Sequence, residues 1–137
     1  MKTLSEFRPG DTFELSRICD RYRPIYYAAA SGDFNPIHVD PEVGRLAGQP
    51  GAILQGMCTL AWLAEACLRY FDDPARMTGL SARFARPVNV GDTIRFEGRC
   101  VAVEGRRVQV AVRVTNQRGE EVLARAQAEA TVEGDGP

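Results

Sequence analysis

The stretch Ala30-Ser31-Gly32-Asp33-Phe34-Asn35-Pro36-Ile37-His38-Val39-Asp40 places a carboxylate, an amide and the chain's only imidazole within six residues. Imidazole titrates near neutral pH and can carry a proton in either direction. An ionised Asp33 could take a proton from water or orient His38. Asn35 could hold a substrate oxygen or set the chain by an Asx turn, and Ser31 adds a hydroxyl. A loop can converge such side chains on one point, whereas a strand would send them to two faces. Gly32 and Pro36 fix its path. Ser31 lacks the strand–turn–helix setting of a serine nucleophile. A purely structural Asp–His pair beside an Asn-Pro turn is the plainer alternative, and both readings stand at this point.

A second segment, Gly51-Ala52-Ile53-Leu54-Gln55-Gly56-Met57, runs directly into an apolar helical pattern. Glycine at a helix start leaves backbone N–H groups approachable. Such a terminus favours developing negative charge, as on a thioester oxygen becoming an enolate. A helix terminus shaped only by packing is the alternative.

One histidine excludes multi-histidine metal sites. Cys19, Cys58, Cys67 and Cys100 are widely spaced with no C-x-x-C, so neither a zinc site nor a disulfide framework is expected. Reduced, mostly buried thiols in a cytoplasmic protein fit this usage. With 17 basic and 18 acidic residues the net charge is −1, which argues against general nucleic-acid binding. All the basic residues except Lys2 are arginine, a bias that codon usage explains, although one or two could meet a phosphate. Met1 to Arg8 has no apolar h-region, so no secretory leader is expected. No apolar run is long enough to span a membrane.

At 137 residues, one domain covering 1–137 is expected, with enough core to fold without metal or disulfide. Phe13 to Cys19 reads as a first strand after the turn Pro9-Gly10-Asp11-Thr12. Arg21 to Ala30 reads as a short helix with Asp20 as candidate N-cap, Ser31 to Asp40 as a loop, and Pro41 to Leu46 as one or two helical turns. Gly56 to Phe71 is the clearest helix. Met57, Leu60, Ala61, Ala64, Leu68 and Phe71 follow helical spacing, and Trp62, Leu63, Ala66 and Cys67 make the other side apolar too. Glu65 and Arg69 can pair on its wet stripe. Met77 to Arg86 reads as a strand closed by Pro87. Ile94, Phe96 and Cys100 then alternate, as do Val108, Val110, Val112 and Val114. Val122, Ala124, Ala126, Ala128 and Ala130 alternate against Leu123, Arg125, Gln127, Glu129 and Thr131. These four strands, joined by short turns, should be mostly antiparallel. The class is α+β: an antiparallel β-sheet wrapped around one long central α-helix, approached closely by small alanines.

At its two chemical motifs the chain resembles the MaoC-like dehydratase family, which includes (R)-specific enoyl-CoA hydratases. Ala28 to Asp40 carries every fixed position of the hydratase motif A-x-x-S-G-D-x-N-P-x-H-x-D. The segment at Gly56 resembles the family's I-x-H-G-M/L, and Arg83-Phe84-Ala85-Arg86-Pro87-Val88 through Gly91-Asp92 resembles its R-F-x-x-P-V…G-D. The resemblance implies a hot-dog fold and reversible hydration of a trans-2-enoyl thioester to an (R)-3-hydroxyacyl thioester. It implies Asp33 and His38 as the catalytic pair, Asn35 as a supporting polar residue with Ser31 nearby, and the Gly56 amide as the group that polarises the thioester carbonyl. Gln55 and Met57, flanking Gly56, and the arginines Arg83 and Arg86 are substrate-binding candidates, the arginines for carrier phosphates. The substrate would be an acyl-CoA or acyl carrier protein thioester, with no metal and no cofactor. A homodimer is implied, with a heterodimer of two hot-dog subunits as alternative. Further alternatives are a hot-dog acyl-thioesterase and a non-catalytic acyl-binding module. Gln55 departs from the family, which has His there.

Overall fold

The computed structural model describes residues 1–134. Its elements are β1 (Thr12–Ile18), α1 (Arg23–Ser31), α2 (Pro36–Val39), α3 (Pro41–Leu46), α4 (Gly56–Phe71), β2 (Met77–Phe84), β3 (Thr93–Glu104), β4 (Arg107–Thr115) and β5 (Glu121–Thr131), with short 3-10 turns at Leu4–Glu6 and Pro74–Arg76. The strands form one five-stranded sheet in the order β1-β3-β4-β5-β2, every neighbour antiparallel.

The sheet curls round α4. Val108, Val110, Val112 and Val114 on β4 and Ala126, Ala128 and Ala130 on β5 are all buried, as period-two alternation requires. They meet Trp62, Leu63, Ala66, Cys67 and Phe71 on the helix in one core. Small side chains on β5 let helix and sheet come close. This is the hot-dog arrangement that the resemblance implies.

Three local expectations need correction. The α4 stripe that faces the core is Cys58, Thr59, Trp62, Leu63, Ala66, Cys67, Tyr70 and Phe71. Of the first-named stripe only Phe71 is buried; Met57 and Ala61 are exposed, and Leu60, Ala64 and Leu68 are half-buried. A helix apolar on nearly every side carries no periodic signal to choose its face. Next, the short-turn connections hold for β3, β4 and β5, whereas β2 crosses to the far edge and pairs with β5. Residues 85–92 return the chain past the start of α4, where the Leu54 N–H donates to the Val88 carbonyl at 2.8 Å. Lastly, the β5 alternation breaks at a bulge. Arg125 stands at φ 52°, and Leu123 is 1% exposed instead of pointing outward. A bulge adds one residue to one strand and re-aims the side chains beside it.

The strand ends differ little from expectation. β1 starts and ends one residue earlier than the pattern suggests, and β2 stops at Phe84, two residues short of Arg86. β1 sits tightly on β3: a Cβ at Gly98 would meet the Phe13 ring at 2.0 Å, and that ring stacks on Tyr70 with centroids 4.8 Å apart.

Candidate active site

The chain segment that carries Asp33 and His38 is built from local capping. Asp20 accepts the N–H groups of Tyr22 and Arg23 at 2.9 Å each, so α1 begins at Arg23 rather than Arg21, with Pro24 in its first turn. The helix runs through Ser31 and stops at Gly32, whose φ of 79° is the left-handed cap that glycine adopts without strain. The Ser31 hydroxyl donates to the Tyr27 carbonyl at 2.7 Å and accepts the Asp33 N–H at 3.1 Å. Its polar capacity therefore goes to fixing the backbone of Asp33.

Beyond Gly32 the expected loop contains a helical turn, α2. Asn35 is its cap: the Asn35 Oδ1 accepts the Ile37 N–H at 3.2 Å, and Pro36 supplies the first helical φ. Asp33 Oδ1 accepts the Asn35 N–H at 3.3 Å, which leaves Oδ2 free. Asp40 then caps α3 by accepting the Glu42 N–H at 3.0 Å. α3 packs on the strand-like segment leading to α4. A Cβ at Gly44 would lie 1.9 Å from the Gly51 carbonyl oxygen, so only glycine fits there.

His38 sits where these pieces meet. Its Nδ1 lies 2.8 Å from the Ile53 carbonyl, and a carbonyl only accepts, so Nδ1 carries the hydrogen. The other nitrogen, Nε2, faces Asp33 Oδ2 at 3.6 Å. That gap is too long for a direct hydrogen bond, yet a water can touch both atoms from one side. The His38 side chain is 13% exposed and that of Asp33 47%, so a walled imidazole faces a solvated carboxylate. Ile53 is itself held, by its N–H to the Ile37 carbonyl at 3.1 Å and by a bridge to Asn89.

Gly56 is the first residue of α4, and its N–H belongs to the turn that lacks intrahelical acceptors. Gly56 and His38 line the same cavity of about 300 Å3, with Thr59, Phe84, Val88 and Leu123. A Cβ on Gly56 would press on the Phe84 ring at 3.0 Å. Leu123 reaches this cavity because of the β5 bulge.

The remaining candidates fall in different places. Gln55 is 1% exposed and does not line the cavity; its Nε2 donates to the carbonyls of Pro24 at 2.8 Å and Asp33 at 3.5 Å. It ties α1 and the Asp33 segment to the start of α4, which corrects its assignment as a substrate contact. Met57 is 57% exposed and lies outside the cavity. Arg86 lines the cavity and pairs with Glu120 at 3.4 Å. Arg83 precedes Phe84 on β2 and so points to the opposite face, away from the cavity. Sequence reasoning missed the Ile53 carbonyl, a backbone group with no residue signature, and Phe84, which the R-F-x-x-P-V stretch contained without assigning it a place. Among the described residues, no three His, Cys, Asp or Glu side chains gather as metal ligands.

This geometry can hold a water between an acid–base pair and present a helix-terminal amide to a nearby carbonyl oxygen. The MaoC like domain family matches residues 9–122. The chain belongs to the MaoC-like domain family. Among relatives of this MaoC-like chain is the Arabidopsis thaliana "Enoyl-CoA hydratase 2, peroxisomal", 40% identical over 96 residues, which are 69% of this chain and 30% of that protein. Another is the Mus musculus "Peroxisomal multifunctional enzyme type 2", 36% identical over 98 residues, 70% of this chain and 13% of that protein. The chain therefore spans under a third of the length of these relatives. Its structure is similar to the unliganded R-hydratase PhaJ1 of Pseudomonas aeruginosa, with a TM-score of 0.88 and 28% identity, covering 97% of this chain and 86% of that one.

Proposed function

We propose that this MaoC-like domain hydrates trans-2-enoyl thioesters reversibly to (R)-3-hydroxyacyl thioesters, carried on CoA or acyl carrier protein. The observation that carries this reading is the His38 ring, pinned through Nδ1 to the Ile53 carbonyl so that Nε2 faces Asp33 Oδ2 at 3.6 Å. A water held by both groups attacks the β-carbon. One of the pair takes a proton from that water, and the other delivers a proton to the α-carbon. A proton passed between the two then restores the starting state, so no covalent intermediate and no cofactor is needed. The Gly56 N–H meets the thioester oxygen as negative charge builds there. Such a donor typically contributes a few kcal/mol to the barrier reduction.

Residues 1–137 are read here as one domain. The exposed stripe of α4, with Met57 and Ala61, and the unpaired edge of β2 support assembly as a homodimer, with a second hot-dog subunit as the alternative partner. Four unpaired cysteines support a cytoplasmic location. No described helix is long and apolar enough to cross a membrane.

The test is incubation with crotonyl-CoA followed by chiral analysis of the product. Formation of (R)-3-hydroxybutyryl-CoA supports the proposal. Release of free thiol without hydration would point to a thioesterase instead.

A further inference from the structure

The sheet turns one face to α4 and the other to solvent. On the solvent face stand Arg83 of β2, Arg99 of β3, Arg113 of β4 and Arg125 of β5, all exposed. The pairing register makes them neighbours. Arg113 falls between the pairs Val112–Ala126 and Val114–Leu123, so the β5 bulge sets Ala124 and Arg125 across from it. Arg83 pairs with Ala124 from the other side of β5. Arg99 pairs with Ala111, two residues from Arg113 and on the same face of β4. Facing positions on paired strands lie about 5 Å apart and diagonal ones about 7–8 Å. The four arginines therefore rise from one area that spans four strands.

Like charges that face each other across a sheet repel. Among the described residues none of these four arginines is ion-paired, whereas arginines beside them are. Arg95 holds Glu14 at 2.9 Å and Glu97 at 3.0 Å, although Glu97 faces Arg113 across the strands. Arg107 holds Glu129 at 2.7 Å. Carboxylates thus border the patch on two sides without neutralising it. A groove of about 340 Å3 runs over the same strands. Gly79, Ser81 and Ala111 line it with little or no side chain, and Val101, 51% exposed, adds an apolar one. Val101 is the residue that the register shift between Cys100 and Ala102 leaves without a partner. Arg99, Ala111, Gln127 and Ser81 form one row across the sheet, so the groove continues directly from Arg99.

We infer that this face docks the acidic surface of a partner protein, with carboxylates on the arginines and an apolar side chain in the groove. The planar arginine fork matches a carboxylate through two parallel hydrogen bonds. The borders of the patch select the class of partner. A nucleic-acid strand or an anionic membrane presents unbroken negative charge, and would meet Glu97 and Glu129 as well as the arginines. A protein surface presents a few carboxylates at fixed places with apolar residues between them. The net charge of −1 over the whole chain also disfavours a polyanion. Pairing of two copies through the β2 edge uses backbone groups and leaves this face open. Nothing in this surface depends on the chemistry beside His38.

The test titrates a fluorescent heptapeptide, glutamates around one central leucine, into wild type and an Arg99→Gln/Arg113→Gln/Arg125→Gln triple variant at low salt. All three side chains are exposed and alike in charge, so the melting temperature should stay level or rise. Where the triple variant melts lower, Arg99→Gln/Arg113→Gln spares the bulge and takes its place. Peptide affinity should fall about tenfold in the triple variant, the size of three exposed ion pairs together. Added salt should weaken binding by the wild type. A thymidine oligonucleotide and vesicles of equal phosphatidylserine and phosphatidylcholine are titrated in parallel, and neither should bind as tightly as the peptide. No peptide binding by the wild type, or equal affinity in wild type and variant, overturns the inference. Oligonucleotide or vesicle binding as tight as the peptide's, through the same arginines, overturns it too, because the face then serves a polyanion.

Discussion

The side chains with the most at stake are those that hold others in place. Ser31 and Asn35 resemble site residues by type, yet their oxygens cap backbone N–H groups and so fix where Asp33 and His38 stand. Gln55 does the same from beneath, bonding two carbonyls while almost wholly buried. Gln55→Leu keeps the volume but strands the Pro24 and Asp33 carbonyls. It should cost about 1–3 kcal/mol of stability and lower turnover as the Asp33 segment loosens. Urea unfolding and a rate assay on the same preparation check both effects. The spacing of Asp33, Asn35 and His38 was legible in the sequence because the interactions are local, two to five residues apart. The Ile53 carbonyl and the Gln55 tie were not, because both depend on segments brought together only by α4 and the return of residues 85–92.

At the scale of elements, α3 acts as a wedge behind the segment that presents the Ile53 carbonyl. Gly44 is its point of contact, with no room for even one methyl group. Gly44→Ala should push α3 off Gly51, destabilise the fold by about 1–3 kcal/mol as overpacking does, and reduce activity by shifting the carbonyl that orients His38. Circular dichroism melts with parallel kinetics test it; an unchanged melt and rate would contradict the wedge. The long helix α4 could be read from its sixteen-residue run of mostly apolar residues, and β4 from its valine alternation. The helix face could not, because apolar residues surround it. The Leu123 reversal could not either, because a bulge belongs to the pairing of two strands and leaves no mark in one strand's alternation.

Over the whole molecule, all four cysteines are free and buried. Burial pushes the thiol of Cys19 up to about 12, Cys58 to about 11 and Cys67 to about 12, from an ordinary value of 9.0. The folded state thus holds these protons more tightly than the unfolded chain. Stability from this source is undiminished below pH about 9 and declines as pH rises above the unfolded value towards the folded ones. An aromatic disulfide reagent at pH 8 should label none of the four thiols in native protein and all four in denaturant. Denaturation midpoints should fall with alkali in the window from about 9 to 12. Rapid labelling of the native form would contradict the buried core.

The central claim is that Asp33 and His38 move the protons of hydration, and one measurement addresses it directly. Crotonyl-CoA hydration by wild type, Asp33→Asn and His38→Ala is compared at equal folded concentration. Each substitution should lower kcat by about 100-fold or more, the usual share of a positioned acid or base, with melting temperatures close to wild type. Rates within a few-fold of wild type in both folded variants would contradict the account.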